Sequence, residues 1–258
     1  MIVELTDAGT AGTESTMNPL LNDTDRVRLF REQGYFVARS LVGPAERAEL
    51  RAACDLALEV ARAGSNVEGH QSPSINLLRS ESLFAPDPSA LERLLAFIAS
   101  PRSCALLEGL ARPGEPTSPR VKKLDYYHEQ TLGDWDGDWH RDSQFVESFP
   151  ERENALIGAT TWVHVRVAFE PDDRLEIVPG SQLRWDTDEE LRVRKGARRR
   201  EASMPEAVRI ELGRGDACVF HAWSIHRATY RCAPVRRTLD CMYAFGSALP
   251  GRWEQLRL

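Results

Sequence analysis

The spacing of hydrophobic positions changes near residue 120. Before it, apolar residues recur at intervals of three and four, as they do on one face of a helix. Residues 25–34 predict a short helix stopped by Gly34, and residues 35–38 a short strand. Gly43-Pro44 opens a second helix, because proline suits the first helical turn. Leu50, Ala53, Leu56, Ala57, Val60 and Ala61 share its apolar face, and Gly64 ends it. Residues 65–75 read as a polar loop containing His70. Residues 88–110 predict a helical stretch interrupted by Pro101. A Pro/Gly-rich run over 112–119 closes this part.

After residue 120, short β-branched and aromatic runs alternate with turn residues. They predict strands at 121–128, 138–146, 158–169, 174–178, 206–211, 216–221, 226–231 and 237–245. Such strands without intervening helices predict an antiparallel jelly roll or barrel, so the fold class is mainly β with N-terminal helices. In the strand over 161–169, Val163, Val165, Val167 and Phe169 form the expected core face. Trp162, His164, Arg166 and Ala168 form the other, read as facing solvent or supporting structure, or else the barrel mouth. An insert over 184–207 carries Arg192, Arg194, Lys195, Arg198, Arg199 and Arg200, and reads as a solvated loop or a lid. The expected organisation is a loose tail over 1–22 and one domain over 23–258, helical to about 119 with the β core at about 120–246.

Composition narrows the function classes. The net charge of −6 argues against nucleic acid as a partner. No apolar run is long enough to span a bilayer, and the first twenty residues lack the basic start and apolar stretch of a signal peptide. A cytoplasmic protein is therefore expected. The 5 cysteines form no CxxC pair, which suggests neither a disulfide framework nor a cysteine zinc site. Lysine occurs only at 122, 123 and 195, so arginine supplies nearly all the basic charge, a bias typical of GC-rich bacterial coding.

Candidate chemistry starts at Gly137-Asp-Trp-His-Arg-Asp142. Residues two apart on a strand project to one face, so His140 and Asp142 can meet one ion. A later histidine, His221 or His226, would complete a two-histidine, one-carboxylate set that leaves three positions open on Fe(II). A 2-oxo acid fills two of those positions and O2 the third. The far carboxylate of that acid calls for the planar fork of arginine. Gln144 shares the His140/Asp142 face and is a candidate substrate contact. Trp139 and Trp135, among Asp134, Asp136 and Asp138, offer aromatic and acidic contacts for a cationic group. Arg166 is a further substrate candidate.

Four motifs, in order, resemble the phytanoyl-CoA dioxygenase family of Fe(II)/2-oxoglutarate oxygenases over about residues 25–246. They are Phe30-Arg-Glu-Gln-Gly-Tyr-Phe-Val-Ala with Leu41-Val-Gly-Pro-Ala-Glu, then His140-Arg-Asp142, then Leu175-Glu-Ile-Val-Pro-Gly-Ser-Gln182, then Gly215-Asp216, Phe220, His226 and Arg237. Gln182 stands where the family has a histidine that is not a ligand. The resemblance implies a double-stranded β-helix, with His140, Asp142 and His226 as iron ligands. The family's arginine follows the distal histidine by eleven residues, which favours His226 over His221 and implies Arg237 as the 2-oxoglutarate contact; the family's frequent oxoglutarate or substrate contact on the strand before the His-x-Asp motif implies Tyr127 and Lys123 as further ones. Arg236 is then expected on the opposite face as a solvated or paired charge.

The implied activity is oxidation of a small molecule, with 2-oxoglutarate and O2 consumed. Asp142 favours hydroxylation over halogenation, since related halogenases have a small residue at that position. A substrate from natural-product or amino-acid metabolism is expected. Two alternatives are a non-catalytic jelly-roll binding protein, which the intact His140, Asp142, His226 and Arg237 argue against, and a cupin-type metalloenzyme without a keto acid, which would not need Arg237.

Overall fold

A computed structural model describes residues 23–64, 74–75, 78, 80–128, 133–146 and 149–245. The expected tail, His70 and the chain beyond 245 lie outside the described residues.

The helical part runs α1 (Asp23–Gln33), β1 (Tyr35–Ala38), α2 (Pro44–Ala63), β2 (Ser74–Ile75), a 3-10 turn (Glu81–Phe84), α3 (Pro88–Ile98) and α4 (Pro101–Ala105). Pro44, Pro88 and Pro101 each open a helix, where the missing N–H goes unused. Pro101 therefore starts a new helix rather than kinking a long one. On α2, Leu50, Ala53, Cys54, Ala57, Leu58 and Ala61 are buried.

The β part contains β3 (Arg120–Tyr127), β4 (Trp135–Asp136), α5 (Ser143–Val146), α6 (Pro150–Leu156), β5 (Trp162–Ala168) and β6 (Asp172–Ile177). It continues with a 3-10 turn (Ser181–Leu183), α7 (Asp188–Lys195), β7 (Val208–Leu212), β8 (Ala217–His221), β9 (His226–Tyr230) and β10 (Thr238–Ala244). These form a sheet ordered β1-β8-β5-β10-β3-β2 and another ordered β4-β9-β6-β7, all paired antiparallel. The result is the expected jelly roll, mainly β with helices ahead of it.

Alternation along the strands decides what faces the gap between the sheets. Val163, Val165, Val167, Val219, Leu239, Cys241 and Tyr243 pack outward into one core with the helices. Leu175, Ile177, Ile210, Cys218 and Phe220 pack between the sheets. His164 and Arg166 also turn inward and are buried, so the polar face of this strand points into the barrel rather than to solvent.

Two motifs act as clasps. Asp216 accepts from the N–H groups of Ser40 and Gly213 and from the Arg39 guanidinium. Beside it, Gly215 has φ +83°, and any Cβ there would lie 2.2 Å from the Val42 carbonyl oxygen. In the Pro-Gly-Ser turn, Ser181 Oγ donates to the Val178 carbonyl and accepts from the Ile225 N–H, fixing the residue before His226.

Two expectations change. Residues 138–146 do not form a continuous strand. The chain pairs at β4 and again at a single bridge, His140 with His226, and then turns into α5. The reason is that the Asp142 N–H leaves the β9 ladder for the Ala222 carbonyl, and Phe145 N–H closes a turn on the Asp142 carbonyl. The insert is not an unstructured loop either. It contains α7, opened by a capping box between Thr187 and Glu190. Arg194 is fully buried there against Asp186 and Glu153.

Candidate active site

His140, Asp142 and His226 converge at the mouth of the barrel. Their ligand atoms all lie within 4.8 Å of one another. The two histidines are cross-strand partners that exchange both backbone hydrogen bonds, at 3.0 and 2.9 Å. Asp142 Oδ1 lies 3.5 Å from His140 Nε2 and 3.8 Å from His226 Nε2. Two ligands each about 2.0–2.2 Å from a common ion can be at most about 4.4 Å apart, and both Asp142 separations lie inside that limit.

The imidazoles are set for the same task. His140 Nδ1 donates to the Asp138 carbonyl at 2.7 Å, and His226 Nδ1 to the Ser224 carbonyl at 2.9 Å. Each bond leaves the Nε2 lone pair facing Asp142. Burial, with His140 beside it, pushes the His226 pKa down to about 3, so the ring is neutral and able to ligate. Burial resists ionisation of Asp142, but its close imidazole neighbours, His140 and His164, outweigh it and hold the carboxyl well below its usual range.

A cavity of about 340 Å³ opens beside these residues. Its polar wall includes Lys123, Tyr127, Asp138, Gln144, His164, Arg166 and Arg200. Its apolar wall includes Trp135, Phe145, Val146, Trp162, Tyr230 and Met242. Trp135 stacks on Tyr230 with centroids 4.1 Å apart, and Phe145 is 58% exposed beside the His140 ring.

His164, which the sequence offered only as part of a polar face, connects the triad to the barrel interior. It contacts Asp142 Oδ2 through Nε2 and Asp240 Oδ1 through Nδ1, both at 2.7 Å. Asp240 Oδ2 in turn takes the Arg166 guanidinium, with Nε at 2.7 Å. Burial alone would lower the His164 pKa; the two carboxylates, Asp240 foremost, bring it up to about 9. The Arg166 guanidinium carbon lies 4.9 Å from the centre of the Tyr127 ring, and that of Arg236 4.7 Å from it.

Of the sequence candidates, His140, Asp142, His226, Lys123, Tyr127, Gln144 and Arg166 line the one cavity. Arg166 is already paired with Asp240, so it is part of the wall. Gln144 accepts from Arg194 at 3.2 Å. Trp139 does not line the cavity, because residues 138, 140 and 142 face it and 139 faces away. Its ring is buried with Val178, Met204 and Ile225, and its Nε1 donates to the Ala202 carbonyl. The aromatic and acidic slot is taken by the chain itself. Arg200 lies 5.1 Å over Trp135, Arg199 and Arg200 pair with Asp138, and Arg231 pairs with Asp136.

Arg237 does not line the cavity either. It shares the outward face of β10 with Leu239 and Cys241, and its Nε lies 3.2 Å from Asp55 Oδ1 on α2. Arg236 takes the inward face. It is buried with its Nε 3.2 Å from Asp172 Oδ2, and its two terminal nitrogens are buried without a hydrogen-bond partner. His221 lies on the outward face, stacked on Phe30 with centroids 5.5 Å apart.

Sequence reasoning missed Arg141, His164 and Asp240. Arg141 is fully buried and ties the His-Arg-Asp segment to Asp186 and to the Ser181 and Trp223 carbonyls. The alternation in 161–169 did carry a signal for His164, but a polar face reads equally as surface.

A profile of the family described as phytanoyl-CoA dioxygenase (PhyH) matches residues 30–237. A search of curated proteins found no match. Solved structures give similar folds. The epimerase SnoN, described as non-heme, alpha ketoglutarate dependent and from nogalamycin biosynthesis, is 20% identical with a TM-score of 0.57, covering 86% of this chain and 82% of that one. AviO1 from Streptomyces viridochromogenes Tue57 is 20% identical with a TM-score of 0.56, covering 91% and 99%. EctD from S. alaskensis, solved with bound Fe, is 17% identical with a TM-score of 0.61, covering 91% and 79%.

Proposed function

Since the chain belongs to the phytanoyl-CoA dioxygenase family, and is therefore a non-haem iron enzyme dependent on 2-oxoglutarate, we propose that it oxidises a small molecule at the cavity beside His140, Asp142 and His226. These three residues would hold Fe(II), leaving three positions open. The observation that carries this reading is the convergence of their ligand atoms within 4.8 Å, with both Nδ1 atoms tied to backbone carbonyls.

For 2-oxoglutarate, the fit rests on Arg236 rather than Arg237. A buried guanidinium with two unbonded terminal nitrogens lacks a planar acceptor, and a carboxylate supplies one through two parallel bonds. The Tyr127 ring, which lines the cavity, has the Arg236 guanidinium 4.7 Å from its centre. Iron and 2-oxoglutarate bound together would activate O2, which is the oxidant, with one oxygen atom going to the succinate formed as the keto acid loses CO2.

The rest is positioning. Lys123, paired with Asp125, brings positive charge to the wall against which a dianion would lie. Trp135, Phe145, Trp162, Tyr230 and Met242 offer apolar surface, which supports a substrate with apolar area of its own, as expected for a natural product. Asp142 supports hydroxylation over halogenation.

Anaerobic titration with Fe(II) and 2-oxoglutarate tests this, since the bound pair gives a weak visible charge-transfer band. Absence of the band, with no succinate formed in air, would end the proposal.

A further inference from the structure

We propose that His164 is a positioning residue that keeps Asp142 on one oxygen. It reserves Oδ2 for hydrogen bonding, so that Oδ1 alone faces the ion site. This rests on the reading of Asp142 as a metal ligand.

The two oxygens of Asp142 have different surroundings. Oδ1 lies near Nε2 of both ligand histidines. Oδ2 points the other way and meets His164 Nε2 at 2.7 Å, in a place where the two side chains are 7% and 14% exposed. A carboxylate can bind a cation through one oxygen or both. The second mode uses one more coordination position, and a 2-oxo acid with O2 needs three. For Asp142 to chelate, it would have to break a short, buried hydrogen bond to His164 and leave that N–H without an acceptor.

His164 is itself held from two directions. Its ring lies parallel to Phe220, 4.5 Å away with an interplanar angle of 6°, which fixes the ring plane. Its Nδ1 is anchored on Asp240, whose other oxygen is taken by Arg166. Asp240 and Arg166 are direct cross-strand partners, and His164 pairs with Met242 two residues along the same ladder, on the same face. The chain of bonds from Asp142 to Arg166 is thus built into the register of β5 and β10. An outer group that aims a ligand in this way typically alters metal affinity by about 10- to 100-fold when removed.

The bland alternative is that His164 only satisfies Asp240 inside the barrel. It predicts a change in stability and none in metal coordination. The two readings separate with Mn(II) alone as the probe, counting bound water by the broadening that oxygen-17 water causes in the Mn(II) resonance spectrum. His164→Phe keeps a ring on Phe220 and removes both nitrogens. Asp240→Asn is the second variant, which leaves His164 in place with a weaker anchor and decides the matter if His164→Phe does not fold. We expect three bound waters in the parent and two in His164→Phe, with Mn(II) affinity about 10-fold lower or worse, and a partial shift the same way in Asp240→Asn.

A parental water count in the folded variants would overturn the inference. Asp142→Ala separates the two levels of failure. If it leaves Mn(II) binding intact, the ligand assignment falls and this inference with it. If it abolishes binding while the other variants keep the parental count, the positioning role alone is wrong.

Discussion

Arg236 and Arg237 are neighbours in sequence that serve opposite layers of the protein. The guanidinium of Arg236 lies 4.7 Å over the Tyr127 ring inside the barrel, while that of Arg237 reaches Asp55 in the helical layer. Asp55 also accepts the Tyr126 hydroxyl at 2.6 Å, so Arg237 belongs to a joint between α2 and the sheet.

Truncating the two should therefore have different effects. Losing one partner of a buried, charge-assisted pair costs about 2–5 kcal/mol. Arg236→Ala should raise the 2-oxoglutarate requirement for succinate formation by about 30-fold or more, and Arg236→Lys by less, because lysine keeps the charge without the fork. Arg237→Ala should leave that requirement near the parental value and lower the melting temperature instead. Matching saturation curves for Arg236→Ala and the parent would return the role to another residue.

Removing the carboxylate ligand should be severe. Asp142→Ala deletes one donor atom and the negative charge that offsets the ion, so Fe(II) affinity should fall by about 100-fold or more, beyond the range for outer-group changes. Competition against a chromogenic chelator under anaerobic conditions measures it, and parental affinity would remove Asp142 from the site.

His221 gives a stability signature separate from the site. Burial pushes its pKa down to about 3 from an ordinary 6.5. The unfolded chain takes up a proton over this window and the folded chain does not. Stability is thus fully present above about pH 6.5 and is lost as pH falls toward 3, by up to about 1.4 kcal/mol per pH unit. In His221→Phe, which keeps an aromatic ring against Phe30, the urea-derived stability should fall less steeply between pH 6.5 and 5 than in the parent. Parallel pH profiles would mean that His221 is protonated in the folded protein.

The insert makes a prediction about packing. Arg194, Asp186 and Glu153 are all fully buried, and Arg194 bonds both carboxylates. Arg194→Met leaves two buried carboxylates short of a partner and should destabilise the fold by about 3–5 kcal/mol in urea titrations. A loss below about 1 kcal/mol, the level of an exposed pair, would show that this part of α7 opens to water in solution.

Much of this was legible in the chain. The change of hydrophobic period marked the helical and β parts, and residues 138, 140 and 142 share a face as period-two spacing requires. Which of Arg236 and Arg237 faces inward was not legible, because counting residues from His226 crosses the turn before β10. Whether residue 236 or 237 points inward is set by the pairing of Thr238 with Tyr127 and Ala168, and an alternation slips by one face with one residue of loop. His164 and Asp240 are 76 residues apart. Nothing local to either announces the other. Trp139 misled for a different reason: an aromatic residue between two candidate ligands looks like part of the site, while the pleat sends it to the far side.

The bridge between His140 and His226 has a consequence for how the protein is made and maintained. Two of the three donors are already held at sheet spacing by reciprocal backbone bonds, so the chain does not need the ion to bring them together. Metal capture can then follow folding as a separate, reversible event. A chelator should strip the protein to an intact shell that reloads on mixing, and starvation for iron would leave a reserve of folded enzyme rather than a pool for proteolysis.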